Sequence, residues 1–153
     1  MFNESSEHPL DKKFRVFVPK RLQKHLPEDK DGNRSVVLTK GEDGCLFLFG
    51  EDGFQESLGT LDTRAYTSRD QRFRQRRLTK DASQSLLDSS GRLLIGPKQR
   101  GLVELEENEE GKIIVVLVGV MNRIEVWPLK RWQEMETLLD ASDDEVVNEE
   151  PRS

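Results

Sequence analysis

Two short stretches carry residue types suited to holding an anion, and they carry them in the same order. Asp11-Lys-Lys-Phe-Arg15-Val-Phe-Val-Pro19-Lys-Arg21 and Asp88-Ser-Ser-Gly91-Arg92-Leu-Leu-Ile95-Gly-Pro97-Lys98 both read Asp, three residues, Arg, three apolar residues, then a Pro and a Lys. The offset is 88 − 11 = 77 residues, about half of the 153-residue chain. A carboxylate ahead of a strand ordinarily caps backbone N–H groups in the turn, leaving the Arg as an exposed strand-entry residue. Repetition in two half-units changes that reading, because a pseudo-twofold places both loops on one face. An Asp paired with each Arg fixes the guanidinium's direction while leaving several of its five donors free. Lys12 and Lys13 add charge to the first loop, and Lys20, Arg21 and Lys98 follow the apolar triplets. A face of this kind suits phosphate oxygens and the edges of bases.

Catalytic chemistry finds no comparable support. Cys45 lies in an apolar run, where a Cys is usually core, and the only histidines are His8 and His25. No zinc-ligand spacing, phosphate-cradling glycine loop or nucleophile elbow occurs. Asp11 and Asp88 each have their own Arg and no evident metal partner. The expectation is a protein that is not an enzyme, with no catalytic or metal-binding residues, no cofactor and no small-molecule substrate. Trp127 and Trp132 are expected in the core or at a subunit interface.

The net charge of −5 hides an uneven distribution. Residues 1–100 hold 19 Lys/Arg and 15 Asp/Glu, a balance of +4; residues 101–153 hold 5 and 14, a balance of −9. The densest positive stretch, Arg64 to Lys80, puts Arg69, Arg72, Arg76 and Lys80 on one helical face. That face is either solvated or paired with acidic segments of a neighbouring subunit, the preferred reading, or it meets nucleic acid directly. No apolar run approaches the roughly 20 residues of a membrane span. The N-terminus lacks a basic-then-apolar leader, and a single Cys suits a reducing compartment, so a cytoplasmic protein is expected.

The elements that must position the two loops follow from pattern. Val16-Phe-Val18 reads as a short strand ended by Pro19, and Lys20 to Leu26 as two helical turns. Val36–Leu38 and Cys45–Phe49 read as strands about the turn Lys40 to Gly44. The second half repeats this order, with Ile113–Val118 and Arg123–Trp127 as its strand pair. Gly50 to Thr60 reads as loop or a single turn. The fold class is α+β, with tandem β-α-β-β half-units that complete one core, since about 40 residues with very short strands bury too little alone. The expected organisation is a first unit over 1–53, a basic connecting segment over 54–82 with a helix at about 67–80, and a second unit over 83–128. A C-terminal helix over 129–140 and a disordered acidic tail over 141–153 complete it.

At this point the chain resembles the MraZ family. The residues that carry the resemblance are Met1-Phe2, His8-x-Leu10-Asp11-x-Lys13-x-Arg15, and Val16 to Pro19. Leu38-Thr-Lys-Gly-x-Asp-Gly44-Cys45-Leu46, Leu87-Asp88-x-x-Gly91-Arg92-x-Leu-Ile95, and Val116-Leu-Val-Gly119-Val-x-Asn122-Arg123-Ile124-Glu125-Val-Trp127 complete the set. The resemblance spans most of residues 1–139. It implies two AbrB-like swapped-hairpin units forming one pseudo-twofold β-barrel with flanking helices. It further implies a nucleoid-associated regulator that binds double-stranded DNA at promoters with short repeated sites, such as that of the division and cell-wall cluster, as a ring-shaped homo-oligomer. Carried over by that resemblance, Asp11, Arg15, Asp88 and Arg92 are the DNA-contact residues; Lys12, Lys13, Lys20, Arg21 and Lys98 are added from charge and place. Three departures stand out: Phe14 where the family has Gly, Gly96 ahead of Pro97, and the absence of an amphipathic helix over Gly50 to Thr60. A degenerate version of the same fold would instead serve as a non-enzymatic interaction or assembly module.

Overall fold

The structure, a computed structural model, describes residues 5–59 and 68–149. Met1, Phe2, Arg64 and residues 150–153 therefore lie outside the described residues. In chain order the elements are β1 (Ser5–Pro9), β2 (Arg15–Phe17), α1 (Lys20–Gln23), β3 (Ser35–Lys40), β4 (Leu46–Gly50) and α2 (Glu51–Leu58). There follow α3 (Arg69–Lys80), β5 (Ser83–Leu86), β6 (Arg92–Leu94), α4 (Pro97–Leu102), β7 (Ile114–Val120), β8 (Arg123–Pro128) and α5 (Leu129–Glu149). The result is a mixed α+β protein with antiparallel strand pairing.

Six strands form one sheet in the order β1-β7-β8-β4-β3-β5, and β2 and β6 form a separate two-stranded ribbon. Exchanging each strand for its counterpart in the other half leaves that order unchanged. The centre is the β4–β8 pairing, where Phe47 faces Glu125, and the ribbon is centred on Val16 opposite Leu93. β1 of the first half pairs with β7 of the second, while β5 of the second pairs with β3 of the first. Each half thus contributes its leading strand to the other half's hairpin.

Strands with both faces buried read as continuous apolar runs. Leu46 and Leu48 of β4 join a core with Val16, Val18, Leu93, Ile95, Leu117 and Ile124, drawn from both halves. The alternate residues Phe47 and Phe49 face the opposite side with Cys45, Val116 and Trp127. There Phe54 and Leu58 of α2, Leu78 of α3, and Trp132 and Met135 of α5 close over them. The layers run ribbon and short helices, sheet, then the longer helices. Trp127 is buried, with its ring 5.5 Å from that of Trp132.

Four sequence expectations are corrected. The ladder does not close into a barrel: it ends at β1 and β5, because β2 and β6 pair with each other rather than with those edges. Each half is β-β-α-β-β, because the polar segment Ser5–Pro9 pairs along β7 as an edge strand that apolar patterning does not flag. Gly50 to Thr60 contains a helix, α2, with Glu51 and Asp52 in its first turn and Gly59 (φ 73°) as its left-handed stop. Finally, α5 runs through Glu149, past the boundary expected at residue 140. Residues 141–149 contain neither Gly nor Pro, so nothing local ends the helix.

Candidate nucleic-acid interface

The loop from Asp11 to Arg15 is closed by its own carboxylate. Asp11 N donates to Arg15 O (2.9 Å), and Phe14 N to Asp11 O (2.9 Å). Asp11 Oδ1 accepts from the backbone N of Lys13 and of Arg15, each at 2.9 Å, while Oδ2 accepts from Arg15 Nε at 2.9 Å. The second loop repeats this bond for bond. Asp88 N donates to Arg92 O (3.0 Å) and Gly91 N to Asp88 O (2.9 Å). Asp88 Oδ1 accepts from Ser90 N (2.9 Å) and Arg92 N (2.8 Å), and Oδ2 from Arg92 Nε (2.8 Å).

The ribbon brings the two loops together. Arg15 Nη1 lies 3.9 Å from Asp88 Oδ2, and Arg92 Nη1 lies 3.9 Å from Asp11 Oδ2. Asp11, Arg15, Asp88 and Arg92 are therefore one cluster of alternating charge, about a third exposed. Both carboxyls are held below the usual carboxylate range, first by the backbone N–H of Arg15 or Arg92 that each accepts. They stay ionised at neutral pH and hold each guanidinium through Nε, leaving Nη hydrogens to an external acceptor.

The added basic residues are placed unevenly. Lys12 and Lys13 are exposed on the first loop. Lys20 borders the second loop across a cleft of about 290 Å³, also lined by Gln23, Arg34 and Ser89 to Gly91. Arg21 is close enough to His8 to help lower that imidazole's pKa, after the larger effect of burial. Lys98 is directed to the buried Asp81 (3.7 Å) rather than to the cluster. On α3, Arg69 and Arg76 stack on Phe73, and Lys80 lies 3.9 Å from Asp81.

Sequence reasoning missed three residues on this face. Phe17 and Leu94, equivalent across the ribbon, project outward at 47% and 56% exposure. Their signal was alternation, since Val16 and Leu93 between the outward residues are fully buried. Arg100 was also missed; its guanidinium carbon sits 3.6 Å from the centroid of the Phe14 ring. Phe14 keeps the positive φ, at 62°, and is 37% exposed. Gly96 takes the place of Pro19 as the residue before its helix, with ordinary negative φ, so the shifted Pro97 leaves the helix start intact.

Among the described residues, no group of three His, Cys, Asp or Glu side chains is placed to hold a metal. Cys45 is buried and its thiol is pushed well above the usual range by desolvation. No helix among the described residues is long and apolar enough to cross a membrane.

Comparison with known proteins gives a consistent picture. The family model described as "MraZ protein, putative antitoxin-like" matches twice, over residues 1–77 and 78–149. A protein of Caldanaerobacter subterraneus subsp. tengcongensis is 31% identical over 141 residues, 92% of this chain and 90% of its own. Relatives from Lactiplantibacillus plantarum (32% over 147 residues, 96% of each chain) and Pediococcus pentosaceus (34% over 134 residues, 88% and 85%) are similar. All three carry the name transcriptional regulator MraZ.

Proposed function

The chain belongs to the MraZ family of transcriptional regulators, and from that premise we propose that it binds double-stranded DNA sequence-specifically through its paired Asp–Arg loops. The observation that carries this reading is the joining of both loops, with matching hydrogen bonds, into one four-residue cluster on the ribbon. A two-stranded ribbon fits the major groove, and an oriented guanidinium is the commonest specific reader of guanine O6 and N7. Arg15 and Arg92 make the base contacts, with Asp11 and Asp88 as their positioning partners. Lys12, Lys13, Lys20 and Arg21 supply phosphate contacts, which fix register without carrying sequence, whereas Lys98 is held at Asp81 and is left out of the interface.

One protomer offers a small bipartite patch, so useful affinity comes from several protomers on repeated sites. A ring-shaped homo-oligomer of swapped-hairpin units meets that need, since head-to-tail contacts whose rotation closes form a ring. In this reading the protein is nucleoid-associated and represses promoters such as that of the division and cell-wall cluster. It uses no cofactor and catalyses no reaction. The outward Phe17 and Leu94 favour, as a second reading, an interaction module for another protein on the same face.

Fluorescence anisotropy against DNA from upstream of its own gene, with a scrambled duplex and a salt series, tests the proposal. The native duplex should bind more tightly, and affinity should fall steeply with salt as phosphate contacts release counterions. Arg15→Ala with Arg92→Ala should abolish the preference in a protein that remains folded, each lost contact costing about 1–3 kcal/mol of discrimination. Equal binding to both duplexes would move the assignment to the interaction module.

A further inference from the structure

Phe14 occupies a backbone conformation that its counterpart gives to glycine. Its φ is 62°, and Gly91, 91 − 14 = 77 residues on, has φ 78°. A bulky side chain is an outlier there, because its Cβ crowds the following carbonyl. Burial does not offset the strain, since the residue is 37% exposed. The ring is held instead by Arg100, whose guanidinium carbon lies 3.6 Å from its centroid.

Arg100 has a counterpart too. Gln23, 77 residues earlier, donates from Nε2 to Val18 O at 2.7 Å, as Arg100 Nη1 donates to Ile95 O at 2.6 Å. Gln23 fills the space over Gly91, where an added Cβ would come within 2.7 Å of Nε2. The Gly–Gln pair of one loop is thus a Phe–Arg pair in the other. The anchoring hydrogen bond is kept, and an exposed ring is added between Lys13 and Arg15. Gly91 demonstrates that the loop closes with the same bonds without a ring, so loop geometry does not require Phe14. Strain retained where a glycine would relieve it points to a use for the side chain.

Resting on the DNA-binding reading above, we propose that Phe14 is a specificity-determining residue whose ring makes an apolar contact with a thymine C5-methyl in the major groove. The two loops are then unequal. Both read bases through their Arg, but the first adds the ring beside Lys12 and Lys13, while the second, with Ser89, Ser90 and Gly91, has no apolar side chain to match it.

The probe is the duplex that the full chain prefers, with single thymines replaced in turn by uracil, which removes only the methyl group. The unmodified chain should lose about fourfold in affinity at one position, the worth of one buried methyl-sized group. Phe14→Gly and Phe14→Asn, both compatible with positive φ, should bind the thymine duplex more weakly by a similar factor and become indifferent to uracil there. Phe14→Tyr should keep the sensitivity. A purely structural role predicts instead that Phe14→Gly melts higher and binds unchanged. The inference is overturned if no position is uracil-sensitive, or if Phe14→Gly keeps full sensitivity. Failure of the unmodified chain to prefer its native duplex over a scrambled one would overturn the DNA reading itself.

Discussion

Asp11 and Asp88 matter because they convert two long, mobile side chains into donors of fixed direction. Each carboxylate spends one oxygen on backbone N–H groups and the other on Nε of its Arg. This division of labour gives a prediction whose sign separates positioning from bulk electrostatics. If Asp88 were only a negative charge on a DNA-facing loop, Asp88→Ala would tighten binding by removing repulsion. Because it also orients Arg92 and braces the loop, we expect specific affinity to fall by about tenfold, near the lower end of a bidentate contact's worth. Binding to scrambled DNA should hold or rise slightly. Anisotropy on the two duplexes checks this, and tighter specific binding would remove the positioning role. The carboxylates' low pKa has a matching consequence. Their folded-state values lie below the ordinary 3.8, so the stability they lend is present above that pH and is lost as pH falls through the folded value. Neutral-range changes leave these two groups ionised.

The elements around the ribbon differ in how closely they are fitted, and two helical glycines show it. Gly53 in α2 packs against the turn between β7 and β8: an added Cβ would sit 2.8 Å from Asn122 O, whose Nδ2 reaches Gly53 O (3.4 Å) and Ser57 Oγ (3.3 Å). Gly101 in α4 has nothing within 4 Å and no positive φ. Gly101→Ala should therefore stabilise by about 0.5–1 kcal/mol through helix propensity. Gly53→Ala should destabilise by about 1–2 kcal/mol despite the same propensity gain, because backbone must shift. Thermal melts resolve the pair, at about 2–4 °C per kcal/mol for a chain of this size; a stabilised Gly53→Ala would show that α2 is not tightly docked. The same glycine explains what the sequence concealed. Gly50 and Gly53 read as breakers, so α2 was invisible, although Glu51, Asp52 and Gly59 marked its start and stop. β4 and β7 were legible because both faces are buried and their runs are apolar throughout. β1 was not, since Ser5, Ser6, Glu7 and His8 form a polar edge recruited only by β7, more than a hundred residues away. At the site, repetition exposed Asp11, Arg15, Asp88 and Arg92. Arg100 stayed hidden because its meaning depends on a phenyl ring that only the folded chain brings over it.

For the whole molecule, the exchange of leading strands makes the halves inseparable. The first half alone would keep β3 and β4 but lose the partner of β1, the partner of β2 and the centre of the sheet. The shared core crosses the pseudo-twofold: Val16 and Val18 pack in one cluster with Leu93 and Ile95, all fully buried. Neither half has a core that the other does not complete, which is why a duplicated sequence folds as one unit. Leu93→Ala opens a cavity on that axis and should cost about 2–5 kcal/mol. Against the roughly 5–15 kcal/mol total of a typical domain, that is a large fraction. The more informative readout is cooperativity. If the core is common, calorimetry should show one transition, shifted as a whole, with calorimetric and van't Hoff enthalpies still equal. The far-ultraviolet signal and the fluorescence of Trp127 and Trp132, on the opposite side of the sheet, should move together. Two transitions with only one displaced would mean that each repeat carries its own core. The cluster at Asp11, Arg15, Asp88 and Arg92 would then depend on docking of two bodies rather than on one fold.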